Sequence, residues 1–98
     1  MDRAEALQLM SALAQSNRLS ALLLLVDALP EGMASSDIAA AIRTTPNTVS
    51  AHLAVLERAG LVASEKLGRS VVYRAQTVPV LHLSAFLAGA VRKDGIAQ

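Results

Sequence analysis

Thr44-Thr45-Pro46-Asn47-Thr48-Val49-Ser50-Ala51-His52-Leu53-Ala54-Val55-Leu56-Glu57-Arg58-Ala59-Gly60-Leu61-Val62 spells a helix punctuated at both ends. Thr45 suits the N-cap. Pro46 suits the first helical position, where its missing N–H is one the helix leaves unbonded anyway, and Gly60 supplies a left-handed stop that throws the chain into a strand. At helical periodicity Val49, Leu53 and Leu56 share one side and anchor the helix to a core. Asn47, Ala51, Ala54 and Arg58 point away, with Thr48, Ser50 and His52 on the flanks. Short outward side chains let a helix backbone approach base edges in a DNA major groove, and Asn, Ser and Thr hydrogen-bond to bases or phosphates once there. An ordinary amphipathic surface helix has the same periodicity, so the neighbouring segments must decide.

Immediately upstream, Ser35 or Ser36 caps a short helix running to about Arg43, with Ile38 and Ile42 facing inward. Two short helices joined through Thr44-Thr45-Pro46 make a helix-turn-helix. Downstream, Leu61 to Lys66 and Ser70 to Ala75 read as strands around Leu67-Gly68-Arg69, a hairpin that forms a wing. Towards the amino end, one helix is expected over about 3–15, with Leu7, Met10 and Ala14 on a stripe. A second is expected over 16–29, capped by Ser16 or Asn17 and stopped by Pro30-Glu31-Gly32, with Leu19, Leu22, Leu23 and Val26 on one face. A last helix is expected over about 80–93. The fold class is therefore mainly α with a small β-hairpin: a winged helix-turn-helix with helices near 3–15, 16–29, 35–43 and 46–59, a wing at 61–75, and a terminal dimerisation helix.

The 98 residues fit one domain. The apolar share is 53%, yet aromatic mass comes from one Tyr and one Phe, so the core must be aliphatic and thin. The surplus of Leu, Val and Ala points to a homodimer. Leu83, Phe86, Leu87, Ala90 and Val91 on the terminal helix, with Leu7 and Met10 on the first, are the expected dimer interface, and Gly89 would allow close backbone approach.

Net charge is only +1, but it is unevenly spread. Residues 1–42 hold two basic against five acidic side chains, whereas residues 43–74 hold five basic against two acidic, so the positive charge falls on the reading segment.

With no cysteine, disulfides, thiolate metal sites and thiol redox sensing are excluded. Enzyme chemistry fares badly: there are two scattered His, no Gly-rich phosphate loop, and Ser35-Ser36-Asp37 serve better as helix caps than as a nucleophile. Met10 belongs to a helix core and Met1 and Met33 are isolated, so soft-metal binding is discounted. The opening Met1-Asp2-Arg3-Ala4-Glu5 has no apolar signal region and the leucine-rich run ending at Asp27 is too short for a bilayer, so no membrane and a cytoplasmic location are expected.

These residues resemble the ArsR/SmtB family of winged-helix repressors. Leu13-Ala14-Gln15-Ser16-Asn17-Arg18-Leu19 is similar to that family's opening signature, Thr48 to Val62 to its recognition helix and first wing strand, and Gly68-Arg69-Ser70-Val71-Val72-Tyr73-Arg74 to its wing. The resemblance implies a homodimer that binds an inverted-repeat operator in double-stranded DNA, blocks transcription, and often releases DNA when a ligand binds. It also exposes a departure. Many members carry a Cys-x-Cys metal box where this chain reads Ala34-Ser35-Ser36-Asp37-Ile38, and others bind zinc between terminal helices, where this chain offers His82, with Lys93 and Ile96 where later ligands would be wanted. One imidazole cannot build a tetrahedral site, so no metal or other cofactor is expected and any effector is an unknown small molecule. His82 reads as an interfacial or surface residue, with a pH switch as the minor alternative.

Within that frame Asn47, Thr48, Ser50 and Ala51 are the expected base readers. Thr45 and the free amides at the helix start would hold a phosphate, and Arg43, Arg58, Lys66 and Arg69 would grip the backbone or, at the wing tip, the minor groove. His52 has two readings, a DNA contact or a helix-packing role. The alternative for the whole domain is a winged helix used only for protein contact.

Overall fold

The computed structural model describes the backbone of residues 1–95, in the order α1 (Arg3–Leu13), α2 (Ser16–Asp27), β1 (Met33–Ala34), α3 (Ser35–Ala41), α4 (Pro46–Arg58), β2 (Val62–Leu67), β3 (Ser70–Ala75) and α5 (Thr77–Gly95). This is a winged helix-turn-helix: mainly helical, with a small antiparallel sheet of strand order β1-β3-β2.

α1 opens on a capping box. The Glu5 N–H donates to Asp2 Oδ1 at 2.8 Å and the Asp2 N–H to Glu5 Oε1 at 3.3 Å, satisfying two amides that the helix itself leaves free. It stops at Leu13, earlier than expected, because Gln15 turns extended and caps α2 in place of Ser16 or Asn17, its Oε1 accepting from the Arg18 N–H at 2.9 Å. The Arg18 side chain then reaches back over the corner, Nε donating to the Ala12 carbonyl at 2.6 Å and Nη2 to the Ser11 carbonyl at 3.4 Å. A cation thus sits on the negative end of α1. It braces the 97° bend between the two helices.

The core is aliphatic: Leu25, Ile38, Val49, Leu53, Leu56 and Leu61 keep no exposed surface. On α2 the buried face is Ala21, Leu22 and Leu25, which corrects the expected one; Leu19, Leu23 and Val26 lie on the opposite, exposed side. With leucine at almost every position of that run, hydrophobicity alone does not choose a face.

β1 is a two-residue strand absent from the sequence reading. Met33 pairs with Tyr73 and Ala34 with Val72, adding a third strand at the root of the wing. The pairing explains two further details. Gly32 enters it at φ 80°, where an added Cβ would meet the Tyr73 carbonyl oxygen at 2.5 Å, so only glycine lets the chain pass this close to β3. α3 also starts at Ser35 directly from extended backbone, with Ala34 as N-cap and no side-chain cap, rather than being capped by Ser35 or Ser36.

α5 begins at Thr77 rather than near Val80, since a proline in the first helical turn, here Pro79, costs no intrahelical bond. Leu83 is not at an outer surface as expected: it is buried within the protomer, where α5 packs on α1, and Phe86 is half-buried beside it. Leu87, Ala90 and Val91 stay exposed, as do Leu7 and Met10 on α1 and Val78 and Leu81 on the other side of α5. The Lys93 side chain and Ile96 lie outside the described residues. The protomer is drawn out to 53 × 22 × 22 Å with a radius of gyration of 15.0 Å, against about 12.5 Å for a compact chain of this length. Among the described residues no single helix is long and apolar enough to cross a membrane.

Candidate nucleic-acid interface

The amino end of α4 is built by its cap. The Thr48 N–H donates to Thr45 Oγ1 at 3.2 Å, and the Thr45 hydroxyl donates to Thr48 Oγ1 at 2.8 Å. Accepting that bond leaves the Thr48 proton free to donate outwards. Pro46 occupies the first turn. Because Val49, Leu53 and Leu56 are fully buried, the opposite side of the helix is held towards solvent, and Asn47, Ser50, Ala51, Ala54 and Arg58 are exposed on it. Thr45 and Thr48 are exposed as well, while His52 is half-buried on the flank, turned partly into the packing.

α3 and α4 end in the same way. After α3, the Arg43 N–H donates to the Ala40 carbonyl and the Thr44 N–H to the Ala39 carbonyl; after α4, the Gly60 N–H donates to Glu57 and the Leu61 N–H to Leu56. Both are Schellman motifs, whose residue after the cap adopts left-handed backbone. Gly60 does so at φ 82° without strain, but the equivalent position after α3 is Arg43, at φ 57°. A long cationic side chain thus stands, exposed, in the turn of the helix-turn-helix where glycine is the undemanding choice.

The wing is held to α4 from one face of its hairpin. Val62, Ser64 and Lys66 alternate with Ala63, Glu65 and Leu67, and Ser64 stands opposite Tyr73. The Ser64 hydroxyl donates to Glu57 Oε2 at 2.8 Å, tying β2 to the last turn of α4. Burial, and then the Glu57 carboxylate, push the Tyr73 phenol above its ordinary pKa. On the other face Arg74 donates to the Pro30 carbonyl at 3.0 Å and pairs with Glu65 at 2.7 Å, so its charge is spent inside the wing root. Lys66 and Arg69 are exposed at and beside the tip, where Gly68 turns at φ 64°. Arg43, Arg58, Lys66 and Arg69 have no ion-pair partner among the described residues.

The geometry therefore brings the expected residues into three groups: the α4 amino end and outer stripe, the interhelical turn, and the wing tip. Arg58 stands apart from the amino end of α4, in the last turn of that helix beside Gln8 and Ser11 of α1. Sequence reasoning missed the Thr45–Thr48 hydroxyl pair and the Glu57–Ser64 tie. The first had a signal, two threonines at the spacing of an N-cap and its third helical residue; the second joins residues on different elements and had none. Among the described residues no group of three or more His, Asp or Glu side chains could hold a metal ion.

The family model of a helix-turn-helix domain matches residues 13–65, just over half of the chain. No curated protein matches it by sequence. Among solved structures, an ArsR-like transcriptional regulator from Rhodococcus sp. RHA1 superposes with a TM-score of 0.78 at 27% identity, covering 96% of this chain and 88% of that one. The homodimeric winged helix-turn-helix DNA-binding domain of a possible ArsR-family regulator from Mycobacterium bovis gives 0.72 at 27% identity, over 92% and 82%. A possible transcriptional regulator for arsenical resistance gives 0.72 at 30% identity, over 86% and 83%. The wing, the capped α4 and these likenesses agree: the chain belongs to the ArsR/SmtB family of winged-helix transcriptional regulators.

Proposed function

We propose that residues 1–98 act as one DNA-binding unit, a cytoplasmic homodimeric repressor that recognises an inverted-repeat operator and does not respond to metal through the family's usual sites. The observation that carries this reading is the exposed, short-chained face of α4 with four exposed cations, Arg43, Arg58, Lys66 and Arg69, that no acidic side chain of the described residues neutralises. Asn47, Thr48, Ser50 and Ala51 read base edges, with the Ala51 methyl suited to a thymine methyl. The Thr45 cap region holds a phosphate through the Asn47 N–H, which the cap leaves unbonded, and the outward Thr48 hydroxyl. Arg43, Lys66 and Arg69 bind the sugar-phosphate backbone, the last two from the wing. Arg58 adds a longer-range contribution from the far end of the helix.

Dimerisation is supported by the drawn-out protomer and by Leu7, Met10, Leu87 and Val91, which stay exposed on the two terminal helices, with Phe86 and Ala90 beside them. A two-fold pairing of those helices would set the reading helices in successive major grooves about 34 Å apart. Operator selection from random duplex, followed by anisotropy titration, tests the reading. Arg69→Ala is expected to weaken all sequences and flatten the log-affinity against log-salt slope, whereas Asn47→Ala changes which operator is preferred. Leu87→Asp is expected to give monomers in sedimentation. Failure of the wild-type protein to bind any duplex at low salt would leave a protein-contact module instead.

A further inference from the structure

One side of α1 does not reach its neighbours. Where α1 crosses the last turn of α4 and the start of α5, two adjoining cavities of about 180 and 190 Å³ remain, sharing Gln8 and Ala59. Small residues leave the gap: Ala12 and Ala59 stand where larger side chains would close it, and Leu9, Val55 and Pro79 complete an apolar floor. The rim is polar. Glu5 and His82 stand at one end, Gln8 in the middle, and Ser11 and Arg58 at the other. Gln8, Ser11, Arg58 and His82 make no side-chain hydrogen bond among the described residues, and Glu5 commits only Oε1 to its cap, leaving Oε2 free.

We propose that this groove binds a small zwitterion of dipeptide size, its ammonium on Glu5, its carboxylate on Arg58 and an amide-like centre on Gln8. Glu5 is anionic at one end, where Met1 and His82 also line the groove, and Arg58 is cationic at the other; neither Glu5 nor Arg58 makes an ion pair within the described residues. Glu5 and Ser11 are six residues apart on α1, a rise of about 9 Å along the helix axis, so the two ends of the groove lie about two helical turns apart and a ligand with one charge engages only one of them. The small volumes admit a short middle and little more. The groove is bounded by the two terminal helices and the reading helix at once, so an occupant held on Glu5 and Arg58 fixes the angle between the dimer surface and α4. This coupling rests on the DNA-binding reading above; binding of the zwitterion to the free protein does not, so the two fail separately.

The test uses glycylglycine on the full chain without DNA, read by amide chemical shifts. N-acetylglycine, which lacks the ammonium, and glycinamide, which lacks the carboxylate, serve as controls. Saturable shifts at Gln8, Ser11 and Ala59 with glycylglycine, and much weaker ones with either control, are expected. Glu5→Gln keeps the capping box, because glutamine serves at that position; it should melt like the wild type yet bind glycylglycine about tenfold more weakly, the worth of one charge-assisted hydrogen bond. No saturable shift, equal binding of the controls, or an unaffected Glu5→Gln protein would overturn the site, and the first is also what a partner subunit filling the groove would produce. Binding that leaves the operator affinity unchanged in the wild type would overturn the coupling.

Discussion

Replacing Arg43 with Gly separates the backbone demand of the interhelical turn from the charge the turn carries. Arg43 holds φ 57° at the position that Gly60 occupies after the next helix. A side chain in left-handed backbone costs about 1–2 kcal/mol, and glycine there recovers this while adding about 0.5–1 kcal/mol of unfolded-chain entropy. The variant should therefore be more stable by about 0.5–1 kcal/mol, a rise of a few degrees in Tm. On DNA the sign reverses. In the proposed dimer one phosphate contact per protomer, two in all, is lost, which should flatten the log-affinity against log-salt slope by about 1.8. Between about 50 and 200 mM salt the wild type should then lose roughly twelvefold more affinity than the variant. Thermal denaturation and anisotropy on a labelled operator read the two effects independently. Arg43→Ala is the control, since it keeps the strain and loses the charge: it should match Arg43→Gly in slope without the gain in Tm. A lower Tm for Arg43→Gly would refute the strain argument, and an unaltered slope the phosphate contact.

Arg18→Ala, which removes the half-buried guanidinium from the carbonyls of Ala12 and Ser11, should cost about 1–2 kcal/mol in urea denaturation; a loss within error would mean the corner needs no brace. Gly32→Ala places a Cβ at 2.5 Å from the Tyr73 carbonyl oxygen in left-handed backbone, and should cost more than about 2 kcal/mol with loss of the β1 pairing in hydrogen exchange. With one Tyr and no Trp, ultraviolet titration reports Tyr73 alone: its transition should lie above the usual phenol value of about 10. Because burial is the larger cause and Glu57 the smaller, Glu57→Gln should lower it only in part. The raised value also fixes the sign of the stability effect, present in full below the ordinary phenol pKa and lost as pH rises through the folded one.

Most of α4 and its caps was legible in the sequence. Thr45, Pro46 and Gly60 act within one turn of themselves, and Val49, Leu53 and Leu56 repeat at a spacing that only a helix brings together. Caps and periodicity are local physics, so a linear chain displays them. The hairpin was legible for the same reason, through the Gly68 turn between two short runs that read as strands. Other features depend on what lies across the fold. β1 is two residues long and exists because β3 offers it a ladder. α2 is leucine-rich on both sides, and only the placement of α1, α4 and β3 selects Ala21, Leu22 and Leu25 for burial. Leu83 went to the protomer core because α1 lies against that turn of α5. The Arg43 strain has no sequence signature, since nothing about an arginine announces left-handed backbone. By itself the amino-acid order determined which segments become helix, turn and strand, because those choices are settled among residues a few positions apart. Which side of each segment is buried, and which cations stand free to meet a polyanion, depended on the tertiary structure, because burial and ion pairing are settled by neighbours distant in the chain.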